Sequence, residues 1–63
     1  MREQVEKLLK SDISAYKISK GAGVPYMTVN DLINGKSNLD NAKFSTVEKL
    51  YNYAETIKKE HNL

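Results

Sequence analysis

The order Gly21-Ala22-Gly23-Val24-Pro25, followed nine residues later by Asn34-Gly35, leaves the middle of this chain room only for short elements. Pro25 has no backbone donor and holds φ at about −65°, which suits the first turn of a helix and little else at this position. A glycine just before it can close the preceding helix in the left-handed conformation and redirect the chain. Asn-Gly between apolar stretches is also a hairpin signal. Here Val29, Leu32 and Ile33 recur at helical spacing rather than in alternation, so Gly35 is expected just past a helix end and residues 25-33 form a short helix.

The same punctuation organises the flanks. Val5, Leu8 and Leu9 lie at i, i+3 and i+4 among charged residues, the pattern of a helix over 2-10 that Ser11-Asp12 ends. Ser14 is placed to cap a second helix running to about residue 20, with Ile13 packing on Ile18 as a hydrophobic staple. Residues 36-44 read as a polar loop anchored by Leu39. Ser45-Thr46-Val47-Glu48 has the form of a capping box, and Phe44 stands at the staple position facing Lys49, whose stem can cover it. A fourth helix from there turns Val47, Leu50, Ala54 and Ile57 inward, with Tyr51 or Tyr53 on its flanks. It runs to about residue 60 or breaks near Ala54-Glu55. No strand pattern or repeat occurs. The expected fold is all-α, a compact four- to five-helix bundle in a single domain, residues 1-63.

Composition narrows the function. A chain of 63 residues without cysteine must fold by packing alone, helped at most by a partner subunit. Neither a disulfide framework nor a thiolate metal site is available. No apolar run approaches the roughly 20 residues that span a bilayer, and the N-terminus lacks the apolar centre of a signal peptide. A cytoplasmic location is expected, with no membrane partner. The net charge of +2 permits nucleic-acid binding without arguing for it. Residues 21-40 hold one base against two acids, whereas 1-20 hold five against three and 41-63 four against three. Any electrostatic attraction must therefore come from the flanks of the central segment.

Two short helices joined by a glycine-containing turn make a helix-turn-helix, at about 15-34, a unit that can present its second helix to a DNA major groove about 12 Å wide. Ile18-Ser19, Ala22-Gly23-Val24, Thr28-Val29, Leu32 and Asn34-Gly35-Lys36 together resemble the motif of the Cro/C1-type repressors, the XRE family. Counted from Ala15, the small fifth position, the glycine at the ninth and the apolar fourth, tenth, fifteenth and eighteenth positions all match. Ser45-Thr46-Val47-Glu48-Lys49-Leu50 is similar to the start of that family's fourth helix, so the resemblance covers roughly 3-54. It implies a lambda-repressor-like DNA-binding bundle. Family members often carry Gln where this chain has Ala15 and Ala where it has Ser19, whose hydroxyl then needs a partner such as a backbone carbonyl one turn back.

In that family the exposed face of the third helix reads base edges, which here implies Pro25, Tyr26, Met27, Thr28, Asn30 and Asp31. Asn30 can pair with an adenine edge, Met27 or the Tyr26 ring can press on a thymine methyl, and Thr28 can reach a base or a phosphate. Asp31, an acid near phosphates, is expected to pair with a neighbouring lysine rather than a base. Phosphate contact falls to Lys17, Lys36 and Lys43, to the helix starts at Ser14 and Ala15, and to Asn34 at the helix end. The bland alternatives are a solvated helix face and solubilising lysines. Tyr16, Tyr51 and Tyr53 are expected at the core edge or in a dimer contact. His61, the lone histidine, carries no metal site.

The leading expectation is a sequence-specific double-stranded DNA-binding transcriptional regulator, a small repressor that binds a palindromic operator as a homodimer through the surface from Tyr53 onward. The alternative is an antitoxin or adaptor module that binds a cognate protein, with or without autoregulation on DNA. No nucleophile-base set, paired carboxylates, phosphate-cradling loop or metal cluster is present in the sequence, so neither catalysis nor a cofactor is expected.

Overall fold

A computed structural model describes residues 2–61. The chain forms α1 (Arg2–Leu9), α2 (Ala15–Ala22), α3 (Tyr26–Asn34), a 3-10 turn (Leu39–Asn41) and α4 (Phe44–His61). No strand occurs among the described residues. α1 packs on α4 and α3, and α2 packs on α3 and α4. Each of α3 and α4 thus packs on both α1 and α2.

The core is small because the chain is. Val5 and Leu8 of α1, Ile18 of α2, Val24 of the turn, Val29 of α3 and Leu50 of α4 are its buried apolar residues, and Leu32, Leu39, Val47, Ala54 and Ile57 pack around them. Burying one such aliphatic side chain contributes roughly 1.5–3 kcal/mol, so each carries a large share of a small domain's marginal stability. The outlier is Ile33, which was expected beside Val29 and Leu32 but stays 37% exposed at the edge of α3.

Helix ends follow the expected chemistry in the first half of the chain. The Ser14 hydroxyl accepts from the Lys17 N–H at 3.2 Å and caps α2. α2 continues two residues past its expected end, to Ala22, and closes where Gly23 takes φ 74°. The N–H groups of Gly23 and Val24 both donate to the Ser19 carbonyl, at 3.0 and 3.2 Å. Gly35 closes α3 in the same way, with φ 80°. Pro25 sits one residue before α3 rather than inside it, and its carbonyl accepts from the Val29 N–H. Ser19 is buried, and its hydroxyl donates to the Tyr16 carbonyl at 2.8 Å, which satisfies it within the helix.

The start of α4 differs from the expected capping box. The helix begins at Phe44, because the Lys43 carbonyl already accepts from the Val47 N–H at 3.1 Å. Ser45 is therefore inside the first turn, where its hydroxyl cannot cap. Phe44 is 69% exposed and forms no staple. α4 runs unbroken through Ala54-Glu55. Of the two places expected for Tyr16, the core edge or a dimer contact, the first is excluded: it is exposed on α2 with the Lys20 ammonium 5.5 Å from its ring centre.

Gly21 has a role the sequence did not disclose. It lies within α2, and a Cβ there would fall 2.7 Å from Cδ1 of Tyr53 and closer still to two other ring carbons. The ring of Tyr53 occupies that space and locks α4 against α2. Alanine normally stabilises a helix interior by about 1 kcal/mol over glycine. Gly21→Ala should instead destabilise by about 1–3 kcal/mol through overpacking in urea or thermal unfolding, and Tyr53→Leu in the same chain should recover most of the loss. Two residues earlier on α4, the Tyr51 hydroxyl donates to Glu55 Oε1 at 3.0 Å. That bond, then repulsion from the Glu55 charge, raises the Tyr51 pKa above the ordinary phenol value. The neutral phenol is thus favoured on folding, so this contribution is complete below about pH 10 and is lost as pH rises through the raised value. Tyr51→Phe should reduce the alkaline loss of stability and leave the neutral-pH pH-dependence unchanged.

Candidate nucleic-acid interface

α3 is amphipathic in a particular way. Val29 anchors it and Leu32 half-buries beside it, which leaves the ridge of 26, 30 and 34 and the ridge of 27 and 31 turned from the core. Pro25, Tyr26 and Met27 are exposed, Tyr26 by 48% and Met27 by 64%; Thr28, Asn30 and Asp31 are half-buried. Pro25 stands just before α3, and the other five lie within its first six residues. No side chain caps that helix, so the N–H groups of its first turn face outward as donors.

A groove of about 510 Å³ runs beside this face. Pro25 with Thr28 and Leu32 of α3 forms one wall, and the opposite wall is the segment from Lys36 through Asn38 and Asn41 to Lys43, Ser45 and Thr46. The lining is rich in hydroxyls and amides, with two lysines and no acid. The Val47 N–H bonds the Lys43 carbonyl, which leaves the three N–H groups before it, at the start of α4, as further donors on this wall. The sequence points to Ser45 and Thr46 only as the start of the fourth helix, and to Ser37, Asn38 and Asn41 not at all. Nothing in the spacing of those three signals that their segment folds back along α3.

The second wall is held from outside. The Asn38 side chain accepts from the Asn41 N–H at 3.3 Å and caps the 3-10 turn, Leu39 packs on the core, and Arg2 bridges Asp40 to Glu6 of its own helix. Both carboxylates hold the Arg2 guanidinium pKa above its usual value, Asp40 more than Glu6. This exposed ion pair is weak as a source of stability, but it ties the groove wall to α1.

The remaining expected contacts divide. Lys36 and Lys43 are exposed and line the groove; Lys17 is exposed on α2, away from its lining. Ser14 spends its hydroxyl on the Lys17 N–H. Ala15 packs its methyl on the core, so only main-chain donors there can meet an anion. Asn34 directs its amide to Asn30. Asp31 makes no ion pair among the described residues, contrary to the expected lysine partner. Its contribution is its main-chain carbonyl, which accepts from Gly35, Lys36 and Ser37 and turns the chain into the groove wall. Lys36 lines the groove and forms no ion pair with Asp31.

Among the described residues no cluster of His, Cys, Asp and Glu can hold a metal ion, and no helix is long and apolar enough to cross a membrane. The imidazole of His61 and residues 62–63 of the expected dimer surface lie outside what the structure describes. No protein-family model matches the chain, and no curated protein matches it.

The Arg2 tether generates a prediction. Asp40→Asn should speed backbone amide exchange in residues 37–42 by severalfold while exchange in α2 and α4 stays as it was, measured by hydrogen exchange with NMR at low salt. Raising the salt should lessen the difference between the variant and the wild type, because screening weakens an exposed pair.

Proposed function

We propose that this chain is a sequence-specific double-stranded DNA-binding transcriptional regulator, with α3 read into the major groove and the groove wall of Lys36 to Thr46 laid along the phosphate backbone. The observation that carries the reading is the pairing of an outward, uncapped α3, with Tyr26 and Met27 exposed at its start, with a neighbouring polar groove that holds Lys36 and Lys43 and no acid. α2, the turn and α3 match the order and spacing of a helix-turn-helix. Positive charge lies where phosphates would pass, and shape and hydrogen-bonding groups lie where base edges would be read. The regulator is a repressor that occludes a promoter, and a homodimer places two copies of α3 about 34 Å apart on a palindromic site.

A second reading is favoured by a different place in the fold. Leu8, Ile13, Ala54 and Ile57 floor a groove of about 340 Å³ between α1 and α4, and the buried Gln4 Oε1 has no hydrogen-bond partner. α3 contributes nothing to this groove, so an antitoxin or adaptor that binds a protein there would leave the DNA face open.

Fluorescence anisotropy with the DNA upstream of the protein's own gene, against a scrambled duplex, tests the first reading. A preference of about a hundredfold or more that salt weakens is expected. Lys36→Ala and Lys43→Ala should each weaken binding to every sequence alike and reduce the slope of log K against log salt by about one. Equal and feeble binding to both duplexes at low salt, with no change in either variant, would overturn the reading.

A further inference from the structure

Asn34 is the last residue of α3, and its Nδ2 donates to the Oδ1 of Asn30, one turn earlier, at 3.2 Å. The geometry points to Asn34 as a positioning residue that sets which way the Asn30 amide faces, and through it makes the site select adenine over guanine. This rests on the DNA-binding reading above and gives that site a preferred base.

The argument is one of donors and acceptors. An asparagine amide presents two protons at Nδ2 and two lone pairs at Oδ1, and its terminal torsion is broad. Left alone, Asn30 can offer either end to a base. With Asn34 donating, the Asn30 oxygen is drawn along the helix axis toward residue 34, and Nδ2 is turned to the other side. One lone pair on Oδ1 and both protons on Nδ2 remain. Adenine asks for one acceptor at its N6 amino group and one donor at N7, which is the combination left. Guanine offers acceptors at both N7 and O6 and asks for two donors, which the held oxygen opposes. Asn30 is half-buried and Asn34 exposed, so the pair stands at the margin of α3 where a base edge can reach the first while the second braces it.

The competing role for Asn34 is a phosphate contact, and the two differ in what they move. A phosphate contact acts alike on every sequence and on the salt slope. A positioning role acts on one base, and only while Asn30 is present.

Duplexes selected from a randomised library by the wild type, Asn34→Ala, Asn30→Ala and the double variant would be sequenced, then titrated on the selected site and on its adenine-to-guanine change at two salt concentrations. We expect the wild type to prefer adenine over guanine at one position of each half-site by about tenfold or more, the size a bidentate asparagine contact supplies. Asn34→Ala should cut that preference about fivefold at that position alone and leave the salt slope intact. In the Asn30→Ala background it should have no further effect. Asn34→Gln, which keeps an amide donor, should retain most of the preference. Uniform weakening with a shallower salt slope would overturn the inference, as would a profile for Asn34→Ala that matches the wild type. Failure of the wild type to enrich any sequence would defeat the DNA-binding reading itself, and this inference with it.

Discussion

Six buried apolar side chains among the described residues hold four helices together, and the rest of the fold follows from how few they are. Without cysteine, the chain has no cross-link to spare its packing. Each helix must give up its best apolar positions to one common point, and Ile18, Val5, Val29 and Leu50 are the side chains fully enclosed there. For α3 the contribution is Val29 with Leu32 beside it. A helix of nine residues anchored so sparingly keeps most of its circumference outside, and that is the physical origin of the exposed face on which the functional reading stands. Tyr53 over Gly21 does for α2 and α4 what a larger core would do by bulk: it fixes their approach through one ring seated in the space of a missing Cβ.

The division of labour between shape and charge has the same source. The segment that forms α3 carries no base and one acid, Asp31. Attraction for a polyanion has to be supplied by elements that fold back beside it, and the carbonyl of Asp31 arranges this by gathering three successive N–H groups and steering the chain into the wall that carries Lys36 and Lys43. Arg2 then ties that wall to α1 through Asp40. The proposed interface is thus a composite in which α3 contributes hydrogen-bonding groups and the following loop contributes charge. Mild net charge is no obstacle to such an arrangement, since the field near a groove depends on local placement.

Much of this is legible in the sequence. The glycine at 23, the proline at 25 and the Asn-Gly at 34 placed the two central helices to within two residues, because each of these residues restricts the backbone in a way that does not depend on distant partners. Ser14 as a cap and the carbonyl partner of Ser19 were legible for the same reason, being contacts within one turn. The misreadings share the opposite character. Local spacing makes Phe44 a staple and Ser45 a cap, but the helix starts two residues before such a cap would place it and leaves the ring exposed. Asp31 was expected to find a lysine, and its carboxylate has none. The role of Gly21, the pairing of Arg2 with Asp40 and the groove wall opposite α3 all depend on segments remote in sequence, which no periodicity in one stretch can reveal.

The central claim is that α3 and the wall from Lys36 to Thr46 act as one DNA-binding surface. Titrating the isotopically labelled chain with a short duplex and following every backbone amide by NMR tests it most directly. The account requires the largest changes at residues 25–31 and 36–46, with the amides of the α1–α4 groove at Leu8, Ala54 and Ile57 left in place. Changes concentrated in that groove while α3 stays unmoved would contradict it, and would assign the binding surface to the other face of the molecule.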